Sequence, residues 1–330
     1  MIITRTPFRI SFFGGGTDYP KWYEEHGGVV LATTIDKYCY ISCRYLPPFF
    51  EHKYRVVYSR IENVMHIDDI EHPAAQEVLR YMQCDRGLEI HHDGDLPARS
   101  GLGSSSSFTV GLLNALMALQ GKYISNDDLA KLAIHIEQDL IKENVGSQDQ
   151  ISAAYGGLNR IEFHQDGTFR VDPIILHQDR LCEFQNHLML FFTGFSRIAS
   201  EIAKSKIDNI KARTVELKRM KEIAHEAIKL LQSKTSLDEI GVLLDQSWQY
   251  KRSLSDKVST SDIDQIYETA IKAGAIGGKL LGAGGGGFML IFVKPELQDR
   301  VREALGHLVH VPFRFENGGS RVALYQPQGL

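Results

Sequence analysis

The stretch that most constrains this chain is Pro97-Ala98-Arg99-Ser100-Gly101-Leu102-Gly103-Ser104-Ser105-Ser106-Ser107, a glycine-flanked run of hydroxyls opening into an apolar segment with helical spacing, 108–119. Two glycines let the backbone adopt turns that a side chain forbids, and the N–H groups of a helix's first turn converge at the positive end of its dipole. Anionic oxygens suit such a bend. The serine hydroxyls can cap the helix, hold a phosphate oxygen or coordinate a hard cation such as magnesium. A plainer alternative is an ordinary Ser-capped helix after a glycine turn.

Composition narrows the setting. A chain of 330 residues with 43% hydrophobic content buries a substantial core and divides most readily into two domains. A net charge of -4, with no dense basic run interleaved with aromatics, argues against a nucleic-acid partner, so any phosphate must be met locally. Cys39, Cys43, Cys84 and Cys182 lack CxxC spacing, and reduced thiols in a cytoplasmic protein are the simplest expectation. There is no charged-then-apolar leader, and runs such as 288–293 are too short to span a bilayer, so no membrane role is expected.

The texture alternates between α and β without internal repeats. Residues 2–13 read as a strand entering the tight loop Gly14-Gly15-Gly16-Thr17-Asp18, and 29–44 reads as further strand. Val110, Leu113, Leu116 and Leu119 form one helical stripe; Leu129, Leu132, Ala133, Ile136 and Leu140 form a second behind Ser125 and Asp127. A short apolar run at 188–193 precedes a long half-exposed helix over 201–232, with further helices at 237–254 and 262–272. The domain boundary is expected near residue 180, giving domains 1–180 and 181–330.

Two acidic groups bracket the end of the second helix: Glu137 within it, and Asp149 in Gly146-Ser147-Gln148-Asp149-Gln150. Phosphoryl transfer needs one acid to hold magnesium and another to orient or deprotonate the attacking hydroxyl, roles these two can fill. The alternative is a solvated helix glutamate and a turn aspartate. A third glycine tract, Gly282-Ala283-Gly284-Gly285-Gly286-Gly287, matches G-x-G-x-x-G literally. A dinucleotide fingerprint follows a strand and opens a helix, whereas this tract follows a helix-like segment and precedes a strand, which disfavours an NAD-dependent enzyme. Gly278-Lys279 is followed by Leu280, and Ala273 stands where a Walker loop needs its first glycine. Close backbone approach to another segment, or to a nucleotide in the serine bend, is what remains.

Three segments in this order, Thr6 through Asp18-Tyr19, Pro97 through Ser107, and Lys279 through Phe288, resemble the three signature motifs of the GHMP small-molecule kinases. The resemblance spans nearly the whole chain. It implies an α+β, two-domain GHMP kinase fold, with an N-terminal domain like the second domain of ribosomal protein S5 and a ferredoxin-like C-terminal domain. By the same resemblance, Gly101, Leu102, Gly103, Ser104, Ser105 and Ser106, with Gly284 and Gly285, contact ATP, while Ser105 and Glu137 hold Mg2+. Asp149 resembles the family's catalytic aspartate and Arg9 the basic residue beside it, placed to stabilise charge on the transferred group. The chain reads Gly14-Gly15-Gly16-Thr17-Asp18 where galactokinases carry G-E-H-T-D, so the sugar-binding glutamate is missing. That form resembles the branch phosphorylating the anomeric hydroxyl of D-glycero-D-manno-heptose 7-phosphate, with Gly15, Gly16, Thr17 and Asp18 at the acceptor. A phosphorylated acceptor calls for a second anion site, for which Arg197 ranks first, ahead of Lys251, Arg252 and Lys257. For Lys251 and Arg252 a solvated helix face is the favoured reading. Alternatives are a galactose- or fucose-like acceptor, or a nucleotide-binding sensor without turnover. The expected partners are a small-molecule sugar or sugar phosphate and, as a possibility, a second copy in a homodimer.

Overall fold

The computed structural model describes residues 1–98, 100–194 and 199–327. Its frame is the antiparallel pair β1 (Ile2–Phe13) and β2 (Gly28–Tyr45), the two strands expected from the alternating and β-branched runs. Around them lie β3 (Tyr54–Val57), β4 (Ile61–Val64), β5 (Leu88–Gly94), β6 (Asn159–Phe163) and β7 (Phe169–Pro173). A separate sheet is built from β8 (Leu188–Gly194), β9 (Gly277–Leu280), β10 (Gly287–Phe292) and β11 (Val309–His310), in the order β11-β8-β10-β9. The chain then returns: β12 (Phe315–Glu316) pairs with β2, and β13 (Arg321–Tyr325) with β1. A division at residue 180 assigns residues 315–325 to the second half, whereas their strands close the edge of the first sheet, where β1 otherwise exposes unpaired backbone.

Helix Ser104–Leu119 lies over β1 and β2 and is buried nearly all round rather than along one stripe, because Leu112 and Ala115 are as apolar and as enclosed as Leu113 and Leu116. The second sheet is covered on both faces, and the period of two along its strands shows it. On β10, Phe288, Leu290 and Phe292 join the main core, whereas Met289 and Ile291 face a smaller core with Trp248, Ile263 and Val301. One apolar layer is therefore shared by the two sheets.

Three expectations change. The long helix over 201–232 is two helices, Ala199–Asn209 and Thr214–Leu231, separated by a tight turn at Ile210–Arg213. Thr214 Oγ1 donates to Lys211 O at 3.0 Å, a local bond that competes with a continuous helix, and Asn209 Nδ2 donates to the distant Leu254 O at 3.1 Å, tying the end of the first helix to the C-terminus of helix Asp238–Ser253. The second predicted helix is α-helical over Asn126–Ile134 and widens to π geometry over His135–Leu140, so that Ile141 N bonds Ile136 O. The third glycine tract follows a strand, β9, not a helix, and joins it to β10 as an antiparallel connection.

Candidate active site

Arg9 enters from β1 and Asp149 from the first turn of helix Gln148–Tyr155. Arg9 Nε donates to Asp149 Oδ1 at 2.7 Å and Nη2 to Oδ2 at 2.9 Å, a two-pronged pair, while Nη1 donates to Gly101 O at 2.7 Å. The arginine side chain is 5% exposed and the aspartate 25%, so the carboxylate is fixed yet still faces open space. The serine bend sits against it. A Cβ built on Gly103 would stand 3.4 Å from Asp149 Oδ2 and 3.3 Å from Arg9 Cγ. Gly103 is also the N-cap of helix Ser104–Leu119, left-handed at φ 75°, and as a glycine it brings no capping side chain of its own. Contrast helix Asn126–Ile134, where Ser125 accepts from Asp128 N.

The glycine tract packs directly behind the bend. A Cβ on Gly282 would lie 2.4 Å from Gly101 Cα, closer than any side chain permits. Gly282 and Ala283 reach the cavity, whereas Gly284 and Gly285, expected at the nucleotide, pack on the segment at Val258, whose carbonyl accepts from Gly285 N at 2.9 Å. Leu102, likewise expected there, is buried, and its carbonyl accepts from Arg9 N at 3.0 Å. Lys251, read as solvated, is instead buried: its Nζ donates to Leu280 O at 2.6 Å and Gly282 O at 2.7 Å, tying the tract to helix Asp238–Ser253. Arg252 does lie toward solvent, paired with Asp264 at 2.8 Å.

On the other side of Asp149 lies the loop after β1. Asp18 is buried; its Oδ1 accepts from Gly16 N and its Oδ2 from Gln148 Nε2, each at 2.8 Å. Burial pushes its carboxyl above the usual range, with the Asp149 charge adding to the rise. Gly15 and Gly16 line the cavity. Thr17, expected at the acceptor, is fully buried and engaged in the turn: its Oγ1 donates to Gly14 O at 2.8 Å and accepts from Val29 N at 3.1 Å. Arg197 lies outside the described residues.

Glu137 is fully buried in the π turn. Its Oε2 accepts from Ser106 Oγ at 2.8 Å and from Gln150 Nε2, whereas Oε1 has no hydrogen-bond partner among the described residues. Burial pushes its carboxyl up to about 7. An orphaned carboxylate oxygen behind a row of hydroxyls fits a hard cation. Ser106, rather than Ser105, is bonded to Glu137; Ser105 is exposed on the cavity wall. Among the described residues no three His, Cys, Asp or Glu side chains converge. An ion held by Glu137 would take its other ligands from hydroxyls, phosphate oxygens and water. His91 and His92 point to opposite faces of β5, one toward Glu89 and the other against the Phe108 ring.

One cavity of about 510 Å³ is lined by Arg9, Ser11, Gly15, Asp18, the bend at 103–106 and Asp149, together with Lys206, Lys251 and Lys279. Lys279 Nζ donates to Phe12 O at 2.8 Å, joining β9 to β1 across the cavity. Burial lowers Lys279 to about 7 and Lys206 to about 8. Reasoning from the residues missed Lys206, although the signal was there: it falls four residues after Ile202 and four before Ile210, on the buried stripe of its segment.

A glycine-and-serine bend at a helix N-terminus, a carboxylate fixed beside it by an arginine and an acid that fits a cation make a phosphoryl-transfer site in chemical terms. Comparison with known proteins decides the family. The model of the GHMP kinases N terminal domain matches residues 70–157 and that of GHMP kinases C terminal matches 224–310. The D-glycero-alpha-D-manno-heptose 7-phosphate kinase of Campylobacter jejuni is 30% identical over 92% of this chain and 93% of its own length. The chain belongs to the GHMP kinase family. It is accordingly an ATP-dependent phosphotransferase with a hydroxyl acceptor. The galactokinase of Pyrococcus furiosus is 25% identical over 92% of each chain. In three dimensions the chain superposes on a D-glycero-D-manno-heptose 1-phosphate kinase from Bacteroides thetaiotaomicron with a TM-score of 0.78, at 23% identity, covering 99% of this chain and 100% of that one. That likeness supports the α+β, two-domain architecture of the GHMP kinases. Among the described residues, no helix is long and apolar enough to cross a membrane.

Proposed function

We propose that this GHMP kinase transfers the γ-phosphoryl group of ATP to the anomeric hydroxyl of a sugar phosphate, with D-glycero-D-manno-heptose 7-phosphate as the acceptor. The observation that carries the reading is the Arg9–Asp149 pair seated against Gly103, in the same cavity as Asp18. In the reaction the acceptor oxygen attacks the γ-phosphorus, its bond to phosphorus forms as the bond to the β–γ bridging oxygen breaks, and ADP departs. The hydroxyl proton passes to the Asp149 carboxylate. Arg9 keeps that carboxylate in place and offsets negative charge developing on the phosphoryl oxygens. Asp18, held by Gly16 N and Gln148, orients neighbouring acceptor hydroxyls.

Glu137, with the hydroxyls of Ser105 and Ser106, would hold Mg2+, which when bound would neutralise negative charge on the nucleotide phosphates. The acceptor assignment is supported by the Campylobacter relative, and by Gly15 and Gly16, which leave room where galactokinases place bulkier residues. Coupled ADP release with a panel of heptose 7-phosphate, galactose, fucose and water tests it. Fastest turnover with heptose 7-phosphate is expected. Preference for galactose or fucose overturns the acceptor assignment, and no acceptor-dependent ADP at all overturns the kinase reading.

A further inference from the structure

Four cationic side chains among the described residues line the cavity, and three are committed to the protein. Arg9 is bonded to Asp149 and Gly101 O, Lys251 to two carbonyls of the glycine-tract strand and loop, and Lys279 to Phe12 O. Lys206 is the exception. It is buried, at 8% exposure, yet within the described residues its Nζ makes no hydrogen bond and no ion pair, and it stands over the Tyr19 ring, 5.9 Å from the centroid. Enclosing an ammonium group without a protein partner is costly, so a largely buried lysine whose Nζ has only the cavity to donate into is a poor stabiliser of the empty protein.

Its surroundings say what completes it. Lys206 follows Ala203 by one turn on helix Ala199–Asn209, and both line the cavity. The charges it feels are Asp18, Asp149 and Arg9, so it shares the cavity with the pair that faces the serine bend and lies within electrostatic reach of it. Arg9 approaches from β1, on the bend side; Lys206 approaches from the second half of the chain, on the side of Tyr19 and Asp18. A group passing from a nucleotide on the bend to a hydroxyl beside Asp149 and Asp18 crosses the cavity that both cations line.

We propose that Lys206 Nζ is a catalytic group that donates hydrogen bonds to non-bridging oxygens of the phosphoryl group in transit, from the face opposite Arg9. This rests on the phosphotransfer reading above. The lysine keeps its proton throughout; the bonds made and broken are those already given, with the hydroxyl proton going to Asp149. Charge spread over the transferring oxygens is greatest between donor and acceptor, so the contact strengthens there and acts on turnover more than on binding.

The experiment compares Lys206→Met, Lys206→Gln and Lys206→Arg with the parent enzyme under saturating ATP and magnesium, using phosphorylated and unphosphorylated acceptors. Met and Gln are expected to lower kcat about 100-fold with every acceptor while acceptor KM stays within about threefold; Arg restores about a tenth of the parent rate. The unfolding midpoint of the Met variant should equal or exceed that of the parent, since an unpaired buried charge is removed. The parent rate should decline at high pH as Lys206 loses its proton, and that limb should move upward in Lys206→Arg, whose guanidinium does not titrate there. The other groups facing this lysine are Asp18, Tyr19, Arg9 and Asp149, with Lys251 and Lys279 beyond.

Unchanged kcat in the Met and Gln variants overturns the proposal. So does a rise in KM confined to phosphorylated acceptors, which would assign Lys206 to the acceptor's own phosphate. A second measurement does not depend on turnover: aluminium fluoride, a mimic of the transferring group, should tighten ADP binding about tenfold or more in the parent and leave it unchanged in Lys206→Met. Equal tightening in both overturns the inference. A parent enzyme that turns over no acceptor would instead sink the functional reading, while the fluoride comparison still decides the role of Lys206.

Discussion

At the residue scale, Asp149 lines the cavity and Glu137 lies buried behind the serine bend, and their surroundings differ. Asp149 is held by a guanidinium and faces open space; Glu137 is sealed in, with one oxygen unpaired. Replacing Asp149 by Asn keeps its shape and removes proton acceptance and charge, so kcat should fall by about 1,000-fold or more with ATP affinity within about twofold, measured by steady-state kinetics and nucleotide titration. Comparable loss of nucleotide binding would contradict the role. For Glu137 the linkage runs the other way from an ordinary paired carboxylate. Burial raises its folded pKa to about 7, well above the ordinary glutamate range, so the folded state binds the extra proton and this group's contribution to stability is lost as pH rises through 7. The difference in unfolding midpoint between Glu137→Gln and the parent, both without metal, should therefore grow in favour of the variant from pH 5 to pH 8. Magnesium with nucleotide should restore stability to the parent only. A pH-independent difference would show that Glu137 is not titrating in this window.

At the element scale, β1, β2 and the helix after the serine bend were readable from the residues because each is a long, largely apolar run, and β8 because its short run is apolar almost throughout. What was not readable is where periodicity stays apolar while backbone geometry changes. The widened turn at His135–Leu140 keeps Ile136 buried as a regular helix would, yet it also turns Glu137 inward. The break at Ile210–Arg213 depends on side-chain bonds from Asn209 and Thr214 that carry no hydropathy signal. Likewise a lysine in an amphipathic helix reads as solvated unless its position on the stripe is weighed, which is why Lys251 was misplaced. The connection between β9 and β10 makes its own prediction. Because a Cβ on Gly282 meets Gly101 Cα at 2.4 Å, Gly282→Ala must push the tract and the bend apart. The KM for ATP should rise about tenfold or more, with a loss of stability of about 1–3 kcal/mol. An unaltered KM would mean the tract does not support the bend.

At the scale of the whole molecule, the cavity lies where two sheets that share an apolar layer come together, bridged by Lys279 from β9 to β1. The returning strands β12 and β13 complete the first sheet, and their loop packs closely: a Cβ on Gly319 would stand 2.0 Å from Ala154 O, on the helix that carries Asp149. Removing residues 315–330 should uncover the β1 edge and loosen that helix, lowering the unfolding midpoint by about 10 °C or more and promoting association through the bare edge, as scanning calorimetry and light scattering would show. An unchanged midpoint would make the tail a dispensable appendage. The distance in sequence between β13 and its partner β1 explains why a boundary at residue 180 looked natural in the chain. Nothing in a strand of exposed residues announces where it pairs.

The central claim is that the serine bend and Asp149 act on one substrate pair in one cavity. Its most direct test is a crystal structure with a non-hydrolysable ATP analogue, magnesium and the acceptor sugar phosphate bound together. The account predicts the triphosphate across the first turn of helix Ser104–Leu119 and an acceptor hydroxyl between the γ-phosphorus and the Asp149 carboxylate, within hydrogen-bond distance of the latter. A nucleotide bound away from the bend, or an acceptor hydroxyl out of reach of Asp149, would contradict it.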